Sequence, residues 1–125
     1  MVSWNNLDTL SSYKELADVK PACLTEVMSG DNGAERVKNY SIPMAAGLSY
    51  NYASKQVDEN VLAALEKLAN EAQLADKFKA LYNGEVVNTG EKRLVLHHMT
   101  RGQLGDAVEA DGVDKRTFYK NKQKN

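Results

Sequence analysis

The sequence predicts a mainly α fold with one short two-stranded β element, on three observations. Apolar residues recur every three to four positions through most of the chain, most clearly between 58 and 82, the period of a helix with one buried face. That texture breaks at "YSIPMAAGLSYNYASKQ", where Pro43, Gly47 and three tyrosines stand without a helical period. No strand-like run leads into a Gly-rich Ser/Thr loop, so these residues do not carry the pattern of a parallel α/β sheet.

A first helix is predicted from about Asp8, which can cap it, with Leu10, Tyr13, Leu16 and Ala17 along its apolar side. Pro21 interrupts, because it has no N–H to continue the ladder. A short second helix follows with Leu24, Val27 and Met28 on one face. "SGDNG" is a turn cluster, after which a helix starting between Asp31 and Ala34 points Val37 and Tyr40 inward. Ser41–Met44 and Leu48–Tyr52 read as two extended pieces. Tyr50 and Tyr52 share a face there, as half-buried tyrosines or as a stacking surface for a base or sugar. Asp58 caps "DENVLAALEKLANEA", whose apolar face holds Val61, Leu65, Leu68 and Ala72. Leu74, Phe78, Leu81 and Tyr82 mark the next helix, which Gly84 stops. The last stretch, "GVDKRTFYKNKQKN", begins as a helix and gains no second apolar turn.

A chain of 125 residues supports one domain with a modest core. Its 42% apolar and 26% charged content is that of a soluble globular protein. With 16 Lys and Arg against 17 Asp and Glu, the net charge of -1 gives no electrostatic case for nucleic acid or an anionic membrane, despite the lysines of "KNKQKN". Cys23 is alone, which rules out a disulfide framework and a CxxC site. No apolar run approaches the roughly 20 residues of a membrane span, and "MVSWNNLDTL" lacks a signal peptide's basic and apolar regions. A cytoplasmic protein is expected.

The segment with the most chemistry is "NTGEKRLVLHHMTRG". It reads as a buried helix, capped by Asn88 or Thr89, with Glu91 completing a capping box and Leu94, Val95, Leu96 and Met99 facing inward. His97 and His98 point about 100° apart on such a helix, so they do not share a metal ion, and no third ligand is evident. Arg93, His97 and Arg101 fall at i, i+4 and i+8. That stripe either meets a phosphate or carboxylate or forms internal salt bridges. Its position predicts that His97 is more buried than His98.

Gly84, Glu85, Val87, Asn88, Glu91, Arg93, Val95, Leu96, His97 and Arg101 fit in register a pattern G-E-x-I-N-x-T-E-x-R-x-V-L-H followed four residues on by Arg. This resembles a segment near the N-terminus of the glucose-6-phosphate isomerase family. The resemblance covers Leu24 to Arg101 well and the ends loosely, with Gly90 in place of the family's Thr and Gly102 in place of its Asn.

The resemblance implies the N-terminal helical segment of an α/β enzyme of the sugar-isomerase type, residues 1–125 being one N-terminal domain without the two sugar-isomerase α/β domains. It implies a parent that interconverts glucose 6-phosphate and fructose 6-phosphate through a cis-enediol by acid/base proton transfer. It implies no cofactor and no metal. The family's catalytic Glu, ring-opening His and Lys, enediolate-steadying Arg and phosphate loops lie in segments that match nothing here, so no catalytic or substrate-binding residue is assigned. The implied partners are the remainder of the isomerase chain and a second protomer, not nucleic acid or a membrane. Arg93, His97 and Arg101 then support the neighbouring domain or the dimer interface, or bring His97 toward the parent's active site. The alternative is a free-standing interaction module on the same fold. On the first reading the piece alone is inactive and leaves apolar faces uncovered.

Overall fold

A computed structural model describes residues 2–101 and 105–123. The chain divides into two units, Asp8–Leu68 and the remainder, Met1–Leu7 with Ala69–Asn125. Both are mainly helical and carry short two-stranded antiparallel sheets.

In the first unit, α1 (Ser11–Asp18), α2 (Leu24–Val27) and α3 (Gly30–Asn39) precede the hairpin of β1 (Ser41–Pro43) and β2 (Ser49–Asn51), and α4 (Glu59–Glu71) follows it, its residues from Ala69 on belonging to the second unit. Asp8 does not cap α1. It lies in a 3-10 turn, Leu7–Thr9, and Leu10 takes the cap position without a side-chain bond. Helix α3 begins inside the turn cluster, earlier than its composition suggests. Gly33 permits this, because a Cβ there would stand 2.4 Å from the Met28 carbonyl oxygen.

The buried face of α3 runs through Gly33, Arg36 and Tyr40, at i, i+3 and i+7. Val37 lies off that face and is exposed, against the expectation that it points inward. The Arg36 guanidinium fastens α3 to the segment after β2, donating to the carbonyls of Ala53 at 2.8 Å, Lys55 at 3.0 Å and Val57 at 2.5 Å. It also lies 4.1 Å from the Tyr40 ring centre.

The β1–β2 hairpin forms where expected, pairing Ser41 with Asn51, Ile42 with Tyr50 and Pro43 with Ser49. Tyr50 and Tyr52 share a face with their ring centres 6.2 Å apart, and Tyr40 lies 5.0 Å from Tyr52. Asp58 caps α4, accepting the Val61 N–H at 2.9 Å.

In the second unit, α5 (Leu74–Tyr82) ends in a Schellman motif with Gly84 at φ +72, where the Glu85 N–H reaches the Ala80 carbonyl and the Gly84 N–H reaches Leu81. A side chain at Gly84 would also strike Val108, whose Cγ1 is 2.2 Å from the position of a Cβ. Two further hairpins follow, β3 (Val86–Asn88) with β4 (Arg93–Leu94), and β5 (Glu109–Ala110) with β6 (Val113–Asp114). Between these hairpins lies a 3-10 turn, His97–Arg101. Among the described residues the expected single β element is therefore one of three, and the helix expected from Asn88 to Arg101 is replaced by a strand pair and a 3-10 turn. The final helix, α6 (Lys115–Lys122), is present as expected, and Asp114 caps it by accepting from the Arg116 and Thr117 amides.

Among the described residues the buried apolar side chains are small or few. In the first unit they are Ala22 and Ala53; in the second, Ala72, Ala80, Met99 and Val108. Leu65, Leu74, Phe78 and Leu48 are exposed, though they occupy the apolar positions of their elements. The accessible surface is 9476 Å² for 13.8 kDa. Two separate compact bodies of half that mass each would together expose about 8,000 Å².

Candidate functional site

Asn88 and Glu91 make one bond of the expected capping box, the Glu91 N–H donating to Asn88 Oδ1 at 3.2 Å; the other contact is between side chains, Asn88 Nδ2 donating to Glu91 Oε2 at 3.3 Å. The element they close is a hairpin turn. Lys92 adopts a left-handed φ of +53, and the chain reverses so that Val86 pairs with Leu94 and Asn88 with Arg93 across a register shift. An Asx side chain bonding to the backbone three residues on serves a turn as readily as a helix start, and the strand pairing takes up the amides that a helix would have used.

This dissolves the predicted stripe. Arg93 sits on β4 and meets Glu91 at 3.8 Å, an exposed pair of little energetic weight. His97 and Arg101 begin and end the 3-10 turn, whose spacing does not continue that of a strand. All three side chains are exposed. Gly102 lies outside the described residues.

The expected order of burial of the histidines is reversed: His97 is exposed and His98 is half-buried. The His98 ring lies 4.7 Å from the Tyr82 ring at 30°, and its two nitrogens are buried. Burial pushes the His98 pKa down, and the neighbouring positive charge of Arg116 pushes the same way, against a smaller opposing pull from the Tyr82 backbone carbonyl.

Arg116 is the second buried cation among the described residues and, like Arg36, is held by carbonyls. Its Nε donates to Asp106 and its Nη2 to Tyr82, while Nη1 is buried without a partner. Gly105 leaves room for it, since a Cβ there would lie 3.0 Å from Nη2. Among the described residues no carboxylate pairs with this guanidinium. The nearby Asp114 is committed to capping, and its carboxyl is held below the usual range chiefly by the Thr117 hydroxyl, with the Val108, Arg116 and Thr117 amides helping. Tyr40 is pushed up by burial and then by the Glu59 carboxylate that its hydroxyl meets at 3.2 Å.

Neither Arg36 nor Arg116 stands out in the sequence, because nothing local distinguishes a buried arginine from a solvated one. Among the described residues no three His, Cys, Asp or Glu side chains converge as metal ligands. No described helix is long and apolar enough to cross a membrane.

Comparison with known proteins assigns the chain. A family model described as phosphoglucose isomerase matches residues 51–124. The glucose-6-phosphate isomerase of Treponema denticola is 42% identical over 128 residues, covering 98% of this chain and 24% of the relative. That of Treponema pallidum (strain Nichols) is 46% identical over 122 residues, covering 94% and 23%. That of Borreliella afzelii is 41% identical over 121 residues, covering 95% and 22%. The likeness thus runs into both ends of the chain, beyond the span Leu24–Arg101 that the motif and its flanks carry. The chain spans less than a quarter of the length of these relatives and belongs to the phosphoglucose isomerase family.

Proposed function

We propose that residues 1–125 are the N-terminal domain of a glucose-6-phosphate isomerase, a cytoplasmic enzyme of glycolysis and gluconeogenesis that interconverts glucose 6-phosphate and fructose 6-phosphate. The observation that carries this is the asymmetry of the match, 98% of this chain against 24% of the Treponema denticola enzyme. The surface supports it: Leu65 on α4 and Leu74 and Phe78 on α5 hold core positions of amphipathic helices yet face solvent. The role of this part is structural. Its apolar faces receive the rest of the isomerase chain and, in the parent, a second protomer. Arg93, His97 and Arg101 are exposed polar groups available for those contacts. Proton transfer to the sugar belongs to residues outside this segment, without cofactor or metal.

The test is a coupled assay of fructose 6-phosphate isomerisation on the purified 125-residue chain. No turnover above the buffer blank is expected. Turnover lost on substitution of a residue of this chain would overturn the structural role.

A further inference from the structure

The first turn of α6 carries Arg116 into the interior of the second unit, where it is only 6% exposed. Nε and Nη2 are taken by the Asp106 and Tyr82 carbonyls, which bear no net charge, and Nη1 is buried with no partner among the described residues. A buried donor without an acceptor is costly, and more so on a charged group than on a neutral one. All 17 Asp and Glu residues of the chain lie in the described segments, and none pairs with this guanidinium.

Asp114 stands two residues away but has both oxygens engaged. Oδ1 accepts from the Val108 and Arg116 amides, and Oδ2 from the Thr117 amide and hydroxyl. The guanidinium charge therefore stays uncompensated, and it helps to hold the His98 pKa down.

Beside it lies a cavity of about 200 Å³ lined by Gly105, Ala107, Asp114, Arg116, Thr117 and Lys120. Two cations face this space against one engaged carboxylate, so its potential favours an anion. The volume is below the roughly 300 Å³ at which small-molecule sites begin, which suits a single side chain better than a free ligand. Gly105 leaves one wall without a side chain: its φ is +98, and a Cβ there would stand 3.0 Å from Nη2.

We propose that Arg116 Nη1, with Lys120 beside it, receives the carboxylate of an Asp or Glu from the part of the isomerase chain that follows residue 125. The ion pair anchors this domain to the rest of the enzyme. A carboxylate supplies both the acceptor that Nη1 lacks and the negative charge that the two carbonyls do not bring. The proposal rests on the isomerase reading, in which the matched segment is 24% of the relative from Treponema denticola and most of the chain lies elsewhere.

The test uses the full-length chain, residues 1–125 with the segment encoded after them, and follows fructose 6-phosphate turnover alongside. Its crystal structure should place a carboxylate oxygen from beyond residue 125 about 2.8 Å from Nη1. Changing that carboxylate to its amide and changing Arg116→Met should each lower the urea midpoint, and the double variant should lose clearly less than the sum. Where Arg116→Met does not fold, Lys120→Gln, at an exposed position, completes the cycle with the amide variant and should show a smaller coupling of the same sign. An active full-length enzyme in which Nη1 meets only water, a carbonyl or a carboxylate of a second protomer would overturn the proposal and leave the isomerase reading standing. Additive losses would do the same. A reading frame that stops at Asn125 would overturn both.

Discussion

His98 stacks on Tyr82 with ring centres 4.7 Å apart and both imidazole nitrogens buried, while the Tyr82 carbonyl accepts from Arg116. The three residues tie the end of α5, the 3-10 turn and α6 together, and burial there favours the neutral form of the histidine.

Stability should therefore fall with acid. The folded-state pKa of His98 lies below its ordinary value of 6.5, so the unfolded chain takes up the proton first. The neutral ring's contribution is complete above about pH 6.5 and is lost as the pH drops from there through the depressed folded value. Melting temperature measured between pH 5 and 7.5 should decline over that window, and His98→Phe should flatten the decline. A profile identical in the two proteins would contradict it.

Substitution of the two histidines should be unequal. His98→Ala removes the stack and should cost about 1 kcal/mol. His98→Phe keeps an aromatic ring in the stack and removes two buried nitrogens, so it should cost less than His98→Ala. His97→Ala, at an exposed position, should stay within about 0.5 kcal/mol. Urea denaturation at pH 7 measures all three.

Arg36→Met should destabilise the first unit by about 3 kcal/mol, since it removes the hydrogen bonds to the carbonyls of Ala53, Lys55 and Val57, the first of them buried. Arg36→Lys should recover less than half of that, because an ammonium lacks the fork that reaches three acceptors. Hydrogen exchange at Tyr52, whose amide bonds to the Tyr40 carbonyl at 2.9 Å, reports the loosening locally.

These predictions lean on residues that the sequence hides. The helices of 59–82 and the β1–β2 hairpin are legible because period, cap and turn residues agree there. The β5–β6 hairpin also has a signal, the Asp111–Gly112 dipeptide, which favours the left-handed turn it forms. Its strands have two residues each, too short to show alternation. The segment from Asn88 misleads because Asn followed three residues later by Glu fits a helix cap and a hairpin turn alike, and the run Leu94–Leu96 has no period to decide between them. Arg36 and Arg116 escape notice because their partners lie up to 21 and 34 residues away, so no local pattern marks them as buried.

The open faces should be measurable. Sedimentation velocity of the 125-residue chain should show concentration-dependent association, and a dye that reports apolar surface should bind. Phe78→Glu, at a side chain 60% exposed, should reduce both without lowering the melting temperature. A monodisperse monomer that leaves the dye unbound would contradict uncovered faces.

The most direct measurement of the central claim is isomerase turnover in a chimera. Residues 1–125 would replace the matching N-terminal segment of the Treponema denticola enzyme, with the segment-deleted enzyme and the 125-residue chain alone as controls. The account predicts that the chimera converts fructose 6-phosphate with a kcat/KM within about tenfold of the parent, a loss of no more than about 1.4 kcal/mol in transition-state stabilisation, and that both controls are inactive. A chimera that folds as a soluble protein but does not turn over, or a 125-residue chain that turns over by itself, would contradict it.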